Sequence, residues 1–265
     1  MVAPLLVERI LRKLAHWNVS QAAPEEMMRP LGDPFRSLLA SMYRGEPQVG
    51  DGGRRFDIDG HTRIAAREGM WLYDLCRSTQ PRRTLEVGLA YGFSTLFFLA
   101  ALKANGQGEH WAVDPAQSML WKGVGAARAS VVGMDESFHF EPEPSLQALS
   151  RFAREGLSFD VIFIDGAHLF DFALVDFVLA SNVCAPSGYI VFDDVWLPAI
   201  RKVVSFIRTN RPDFTEAQTP VRRLWSQWSP HDPGNVVRNI ALTNLALFQK
   251  TGKDARDWSH FVDFP

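Results

Sequence analysis

TLEVGLAYGFST, Thr84 to Thr95, passes from a short apolar run through a turn bracketed by Gly88 and Gly92 into an apolar helix-forming segment. Glycine is required where a backbone bends sharply or approaches a ligand with no Cβ in the way. The strand-turn-helix reading makes this the first βα unit of an open sheet, and the spacing narrows its ligand. A pyrophosphate cradle uses GxGxxG, whereas this turn is GxxxG with the acidic Glu86 just ahead of it. A carboxylate there repels phosphate and favours an amino group or a cationic ligand.

Outward from this unit the chain alternates. HWAVD, SFHFEPE, FDVIFIDG and GYIVFDD read as strands. Helical patterns occupy residues 117–129, SLQALSRFARE, FDFALVDFVLASNV and LPAIRKVVSFIRTN. FTEAQTP and NLALFQKTG supply two more strands, separated by a polar, Trp-bearing insertion near 220–240 that reads as a lid. The rhythm predicts an α/β fold: a Rossmann-like, doubly wound, mostly parallel seven-stranded sheet with helices on both faces and an N-terminal helical arm. DVIFI and GYIVF lack wet and dry alternation, as strands covered on both faces do. A helix is predicted across 61–78, and the Pro-, Gly- and Arg-rich residues before it set the limits: N-terminal helical arm or cap over 1–59, main α/β domain over 60–265. Leu5, Leu6, Ile10, Leu11 and Leu14 form an amphipathic stripe, read as docking onto the chain's own core or, preferentially, onto a second subunit in a homo-oligomer.

The 265 residues carry a formal charge of −2 with pI near 6.4, which excludes a generally basic surface for nucleic acid or anionic membrane and points to small-molecule partners. Two distant cysteines in apolar segments suit a reducing compartment, and the longest apolar run is too short for a bilayer. A cytoplasmic location is the expectation.

In an open α/β sheet ligands gather at the carboxyl ends of the strands, where Glu86, Asp114, Asp165, Asp193 and Asp194 all fall. Asp114 ends the second strand, the usual place for a carboxylate gripping ribose hydroxyls; alone, it also reads as a helix cap. Together with the glycine turn it points to a nucleoside without a pyrophosphate, a description met by S-adenosylmethionine (SAM). LEVGLAYGFSTLFFLAAL, WAVDP, FDVIFIDGAH and GYIVFDDV in this order resemble the class I SAM-dependent methyltransferases. Within them they resemble the metal-dependent O-methyltransferases related to catechol, caffeoyl-CoA and antibiotic-tailoring sugar enzymes, over residues 60 to 250. The resemblance implies that Glu86, Gly88, Gly92 and Ser94 line the methionine end of SAM, that Asp114 holds the ribose, that Ser145 lies near the adenine, and that Gly60 to Ile64 close over the cofactor.

Asp165 ends one predicted strand and Asp193 and Asp194 the next. Neighbouring strands lie about 4.8 Å apart, so the three carboxylates can converge. Their repulsion is relieved by a hard divalent cation, Mg²⁺ or else Mn²⁺ or Ca²⁺, which would lower the pKa of an acceptor hydroxyl. The resembling enzymes carry Asp and then Asp-Asn here, where this sequence has Asp-Asp. They also carry a proton-abstracting lysine three residues beyond the first aspartate, a position occupied here by His168. A neutral imidazole can take that proton, with Asp171, one helical turn later, orienting it or serving as the base itself; metal ligation and contact with the SAM carboxylate are the alternatives for His168. The competing reading of Asp194 is a helix cap. A nicotinamide oxidoreductase is disfavoured by the missing GxGxxG, and a SAM-binding protein without turnover is the remaining alternative.

Overall fold

A computed structural model describes residues 24–217 and 244–265. The predicted lid at 220–240 and the stripe from Leu5 to Leu14 lie outside the described residues. The N-terminal part comprises α1 (Pro24–Met27), α2 (Phe35–Tyr43) and a hairpin of β1 (Gln48–Val49) and β2 (Arg55–Phe56). Then follow α3 (Ala66–Thr79), β3 (Arg83–Val87), α4 (Phe93–Asn105), β4 (Glu109–Val113), α5 (Gln117–Leu120), α6 (Arg128–Val131) and β5 (Phe138–Glu141). The chain continues through α7 (Ser145–Glu155), β6 (Phe159–Ile164), α8 (Phe170–Val183), β7 (Cys184–Phe192), α9 (Pro198–Asn210), β8 (Phe214–Glu216) and β9 (Ala246–Lys250).

The main sheet has seven strands in the order β5-β4-β3-β6-β7-β9-β8, with β9 antiparallel to both neighbours and the other pairings parallel. From β3 the chain steps outward through β4 to β5, then returns to β6 on the other side of β3 and runs outward again. The reversal opens a crevice at the carboxyl tips of β3 and β6, where the glycine turn and Asp165 meet.

Two apolar clusters sandwich the sheet. One joins α3 and α4 (Trp71, Leu72, Phe97, Phe98) to Val161, Phe163 and Val191 of the strands; the other joins α7, α8 and α9 (Phe152, Phe177, Val203) to Leu85, Ile162 and Phe192. Burying each such side chain contributes about 1.5–3 kcal/mol. Met28, Phe35, Leu39 and Met42 belong to the first cluster, so the described part of the N-terminal region docks onto the chain's own core.

The sequence pattern and the structure part company at 117–129. One helix is expected there, and two single-turn pieces form, α5 and α6. Gly123 at φ 67° and Lys122 at φ 55° break the run, and at Gly125 a Cβ would meet the Ala90 carbonyl oxygen at 2.3 Å. The segment is shaped to lie against the glycine turn.

Candidate active site

The turn after β3 is held from three sides. Gly88 has φ 94°, and a Cβ on it would meet the carbonyl oxygen of Asp165 at 2.2 Å. Gly92 has φ 79°, and a Cβ there would meet Cγ of Arg128 at 2.5 Å. Asp114 supplies the third hold. Its Oδ2 accepts the Leu89 and Ala90 N–H groups at 3.2 and 2.9 Å and Nε2 of Gln117 at 3.1 Å, while Oδ1 accepts the Ala116 N–H at 2.7 Å. The carboxylate expected on a ribose thus already fastens the loop that would receive the cofactor. Tyr91 reaches out of the turn, its hydroxyl donating to Asp59 at 3.4 Å, which sets the segment before α3 beside the crevice.

Glu86 departs from its expected place. Strand alternation turns it, with Thr84, away from the Leu85 and Val87 face, and it has no exposed surface. Ser94 donates to Oε2 at 2.7 Å, Thr95 donates to Oε1, and Nε2 of His110 lies 3.1 Å from Oε1. Glu86 and Ser94 are therefore bonded to each other behind the turn, where the carboxylate faces the first turn of α4 and its positive dipole end. Ser145 is likewise engaged: its hydroxyl donates to Oδ1 of buried Asp176 on α8 at 2.5 Å.

At the tips of β6 and β7 the expected trio divides. Nε2 of His168 lies 3.4 Å from Oδ1 of Asp165 and 3.3 Å from Oδ2 of Asp194, and ligand atoms of these three residues all fall within 4.8 Å of one another. Asp193 is not of this group. Consecutive strand residues point to opposite sides, and Asp193 still follows the ladder, its N–H bonded to Ile164 O at 3.1 Å. Asp194 leaves it, with φ 53°, and its carboxylate swings toward His168. The place expected for Asp193 is taken by the imidazole.

Trp196 completes the cluster together with Glu68 and Asn244, the last two not anticipated from sequence. Trp196 donates its indole N–H to Oδ1 of Asp194 at 2.7 Å. Glu68, buried in the first turn of α3, accepts the Ala65 N–H at 2.7 Å. Nδ2 of Asn244 donates to Asp193 at 2.9 Å, Glu68 at 3.1 Å and Asp194 at 3.4 Å. The one available signal was an acidic residue inside the apolar face of a helix, at Glu68.

The electrostatics follow from burial and crowding. Burial first, with the charge of Asp194 adding to it, pushes Asp165 up to about 6 and Glu68 up to about 7. Asp193 is raised well above the carboxylate range, by burial first and then by Asp165 and Glu68. His168 is raised by its hydrogen bond to Asp165. A site that holds protons this tightly in its carboxylates and imidazole is short of positive charge. The carboxylates of Asp165 and Asp194, converging with the His168 imidazole beside them, fit a hard divalent cation such as Mg²⁺ or Mn²⁺.

Residues 85–195 match the family model described as a methyltransferase domain, a span running from β3 to just past the Asp193-Asp194 pair. The fold is that of the class I SAM-dependent methyltransferases. Among solved structures, the O-methyltransferase TomG from Streptomyces achromogenes, involved in tomaymycin synthesis and in complex with SAM, is 22% identical over 70% of this chain and 82% of its own, with a TM-score of 0.55. Cofactor-bound Rv0187 from MTB is 20% identical over 84% and 92%, with a TM-score of 0.56. The O-methyltransferase from Bacillus cereus in complex with SAH is 16% identical over 74% and 83%, with a TM-score of 0.51. No curated protein matches the chain.

Proposed function

We propose that this chain is a SAM-dependent O-methyltransferase acting on a small molecule with a chelating pair of oxygens, such as a catechol, a sugar diol or a polyketide. One observation carries the reading: the Asp165, His168 and Asp194 cluster sits against the cofactor turn, since the Asp165 carbonyl fills the space a Cβ on Gly88 would need. SAM would lie along the turn between Gly88 and Gly92, its sulfonium at the β3 and β6 tips. That the neighbouring TomG structure contains SAM and the Bacillus cereus structure SAH supports this choice of donor.

Asp165 and Asp194 are the carboxylates that would hold a divalent cation, which supplies the charge that lowers the acceptor hydroxyl's pKa. Nε2 of His168 takes the acceptor proton. The oxygen then attacks the methyl carbon in line with the sulfur, the C–S bond breaks, and neutral S-adenosylhomocysteine leaves with the bonding pair. Trp196 fixes the orientation of Asp194 through its N–H. Alignment and proton removal are all the protein must provide, because the sulfonium is already activated.

Calorimetric titration with SAM, followed by a methyl-acceptor screen of catechols and glycosides with and without chelator, tests the proposal. Wild type and Asp165→Ala are expected to bind SAM alike, with transfer lost in the variant and on chelation. Transfer unaffected by both would remove the cluster from the chemistry. SAM binding with no transfer to any acceptor would favour a binding protein instead.

A further inference from the structure

Asn244 begins the approach to β9, the antiparallel strand between β7 and β8, and is far in sequence from every residue it touches. Its carboxamide nitrogen points at three carboxylates: Oδ1 of Asp193 at 2.9 Å, Oε1 of Glu68 at 3.1 Å and Oδ1 of Asp194 at 3.4 Å. The reverse orientation would aim the amide oxygen at all three, so the surroundings fix which way the group faces. Its Oδ1 finds no hydrogen-bond partner among the described residues, so the amide is oriented entirely by its donor side. The Asn244 carbonyl also accepts the Val195 N–H at 3.0 Å, tying the same residue to the chain on the far side of the Asp pair.

Asp194 has φ 53°, a left-handed conformation that a non-glycine residue keeps only where its surroundings hold it. Its own N–H donates to Oδ1 of Asp193 at 2.8 Å and its carbonyl accepts the Leu197 N–H at 2.8 Å; the side chain is held by the Trp196 N–H and the Asn244 N–H on Oδ1, and the next residue by the backbone bond from Val195 to Asn244. Oδ2 is left facing His168. We propose that Asn244 is a positioning residue: its amide, anchored on Glu68, holds the Asp193-Asp194 pair so that Oδ2 of Asp194 meets Asp165 and His168. The inference rests on the methyltransferase reading for its catalytic meaning, but the geometry it asserts can be tested without that reading.

The test compares wild type with Asn244→Ala and Asn244→Leu, the second keeping the side-chain volume if the first fails to fold. Crystal structures of each give the Asp194 conformation, and Mn²⁺ alone, without SAM or acceptor, is titrated calorimetrically. The expected result is loss of the 3.3 Å approach of Asp194 to His168, and Mn²⁺ binding weakened about 10-fold or more, as when a residue supporting a metal ligand is removed. SAM affinity should stay within about twofold, since Asn244 touches no part of the turn. An unmoved Asp194 overturns the proposal, as does Mn²⁺ affinity equal to that of a wild type that binds the ion. If wild type takes up no Mn²⁺, the metal reading fails by itself and the Asp194 position alone decides the role of Asn244.

Discussion

Gly88 is the residue on which the glycine turn and the Asp165, His168 and Asp194 cluster are joined, and it has two independent reasons to be glycine. Its φ of 94° disfavours any L side chain, and a Cβ would sit 2.2 Å from the Asp165 carbonyl oxygen. Strain of about 1–3 kcal/mol adds to an overpacking cost of similar size. Gly88→Ala should therefore lose about 2–4 kcal/mol in urea unfolding, and SAM affinity with it. His168→Ala is expected to behave oppositely: no loss of stability beyond about 0.5 kcal/mol, because the imidazole is half-exposed, and SAM affinity kept, with turnover down about 100-fold. Unchanged turnover would take His168 out of the mechanism. The glycine pattern was legible in sequence. The division of labour between Asp193 and Asp194 was not, because it depends on one backbone reversal at Asp194 that no residue type dictates.

Between α7 and α8 the Ser145 to Asp176 bond spans two elements and buries a carboxyl. Burial raises Asp176 above its ordinary value, with the Ser145 hydrogen bond opposing. An acid whose folded pKa is raised is least costly when protonated. Its ionisation subtracts stability as pH climbs through the folded value, and the penalty is absent below the unfolded value of about 3.9. Asp176→Asn, which can still accept from Ser145, should melt higher than wild type at pH 8, and the advantage should vanish toward pH 4. A constant difference across that range would assign the effect to packing. The elements themselves were well foreshadowed: FDFALVDFVLASNV becomes α8 residue for residue. The 117–129 segment was not, since its break at Lys122 and Gly123 fits the chain against Asp51, and Gly125 is needed against the Ala90 carbonyl, contacts with segments remote in sequence.

Across the whole molecule, Arg128 links the N-terminal hairpin to the glycine turn. Its side chain is fully buried and, among the described residues, meets no carboxylate: it donates to Val124 O at 2.7 Å, to Gln48 Oε1 at 2.9 Å and to Val49 O, while its Cγ lies over Gly92. Burial lowers its pKa to about 10. Arg128→Met keeps the stem and removes the donors, leaving two carbonyls and an amide oxygen without their partner at about 1–3 kcal/mol each before relaxation. The expected outcome is a drop of several degrees in Tm with faster proteolysis of residues 24–56. Equal protease resistance would show that apolar packing of Phe35, Leu39 and Met42 suffices to hold the region.

Short-range patterns determined the order of strands and helices, the glycine turn and the placing of every acid at a strand tip, because periodicity and backbone conformation are local properties. Tertiary structure alone decided which acids share a hollow. It turned Glu86 and Ser94 onto each other, set Asp114 to hold the turn, exchanged Asp193 for His168 beside Asp165 and Asp194, and brought Glu68 and Asn244 together from distant parts of the chain. Side-chain direction at a strand's end depends on the reversal that follows it, and hydrogen bonds between remote segments exist only once the sheet has placed them side by side.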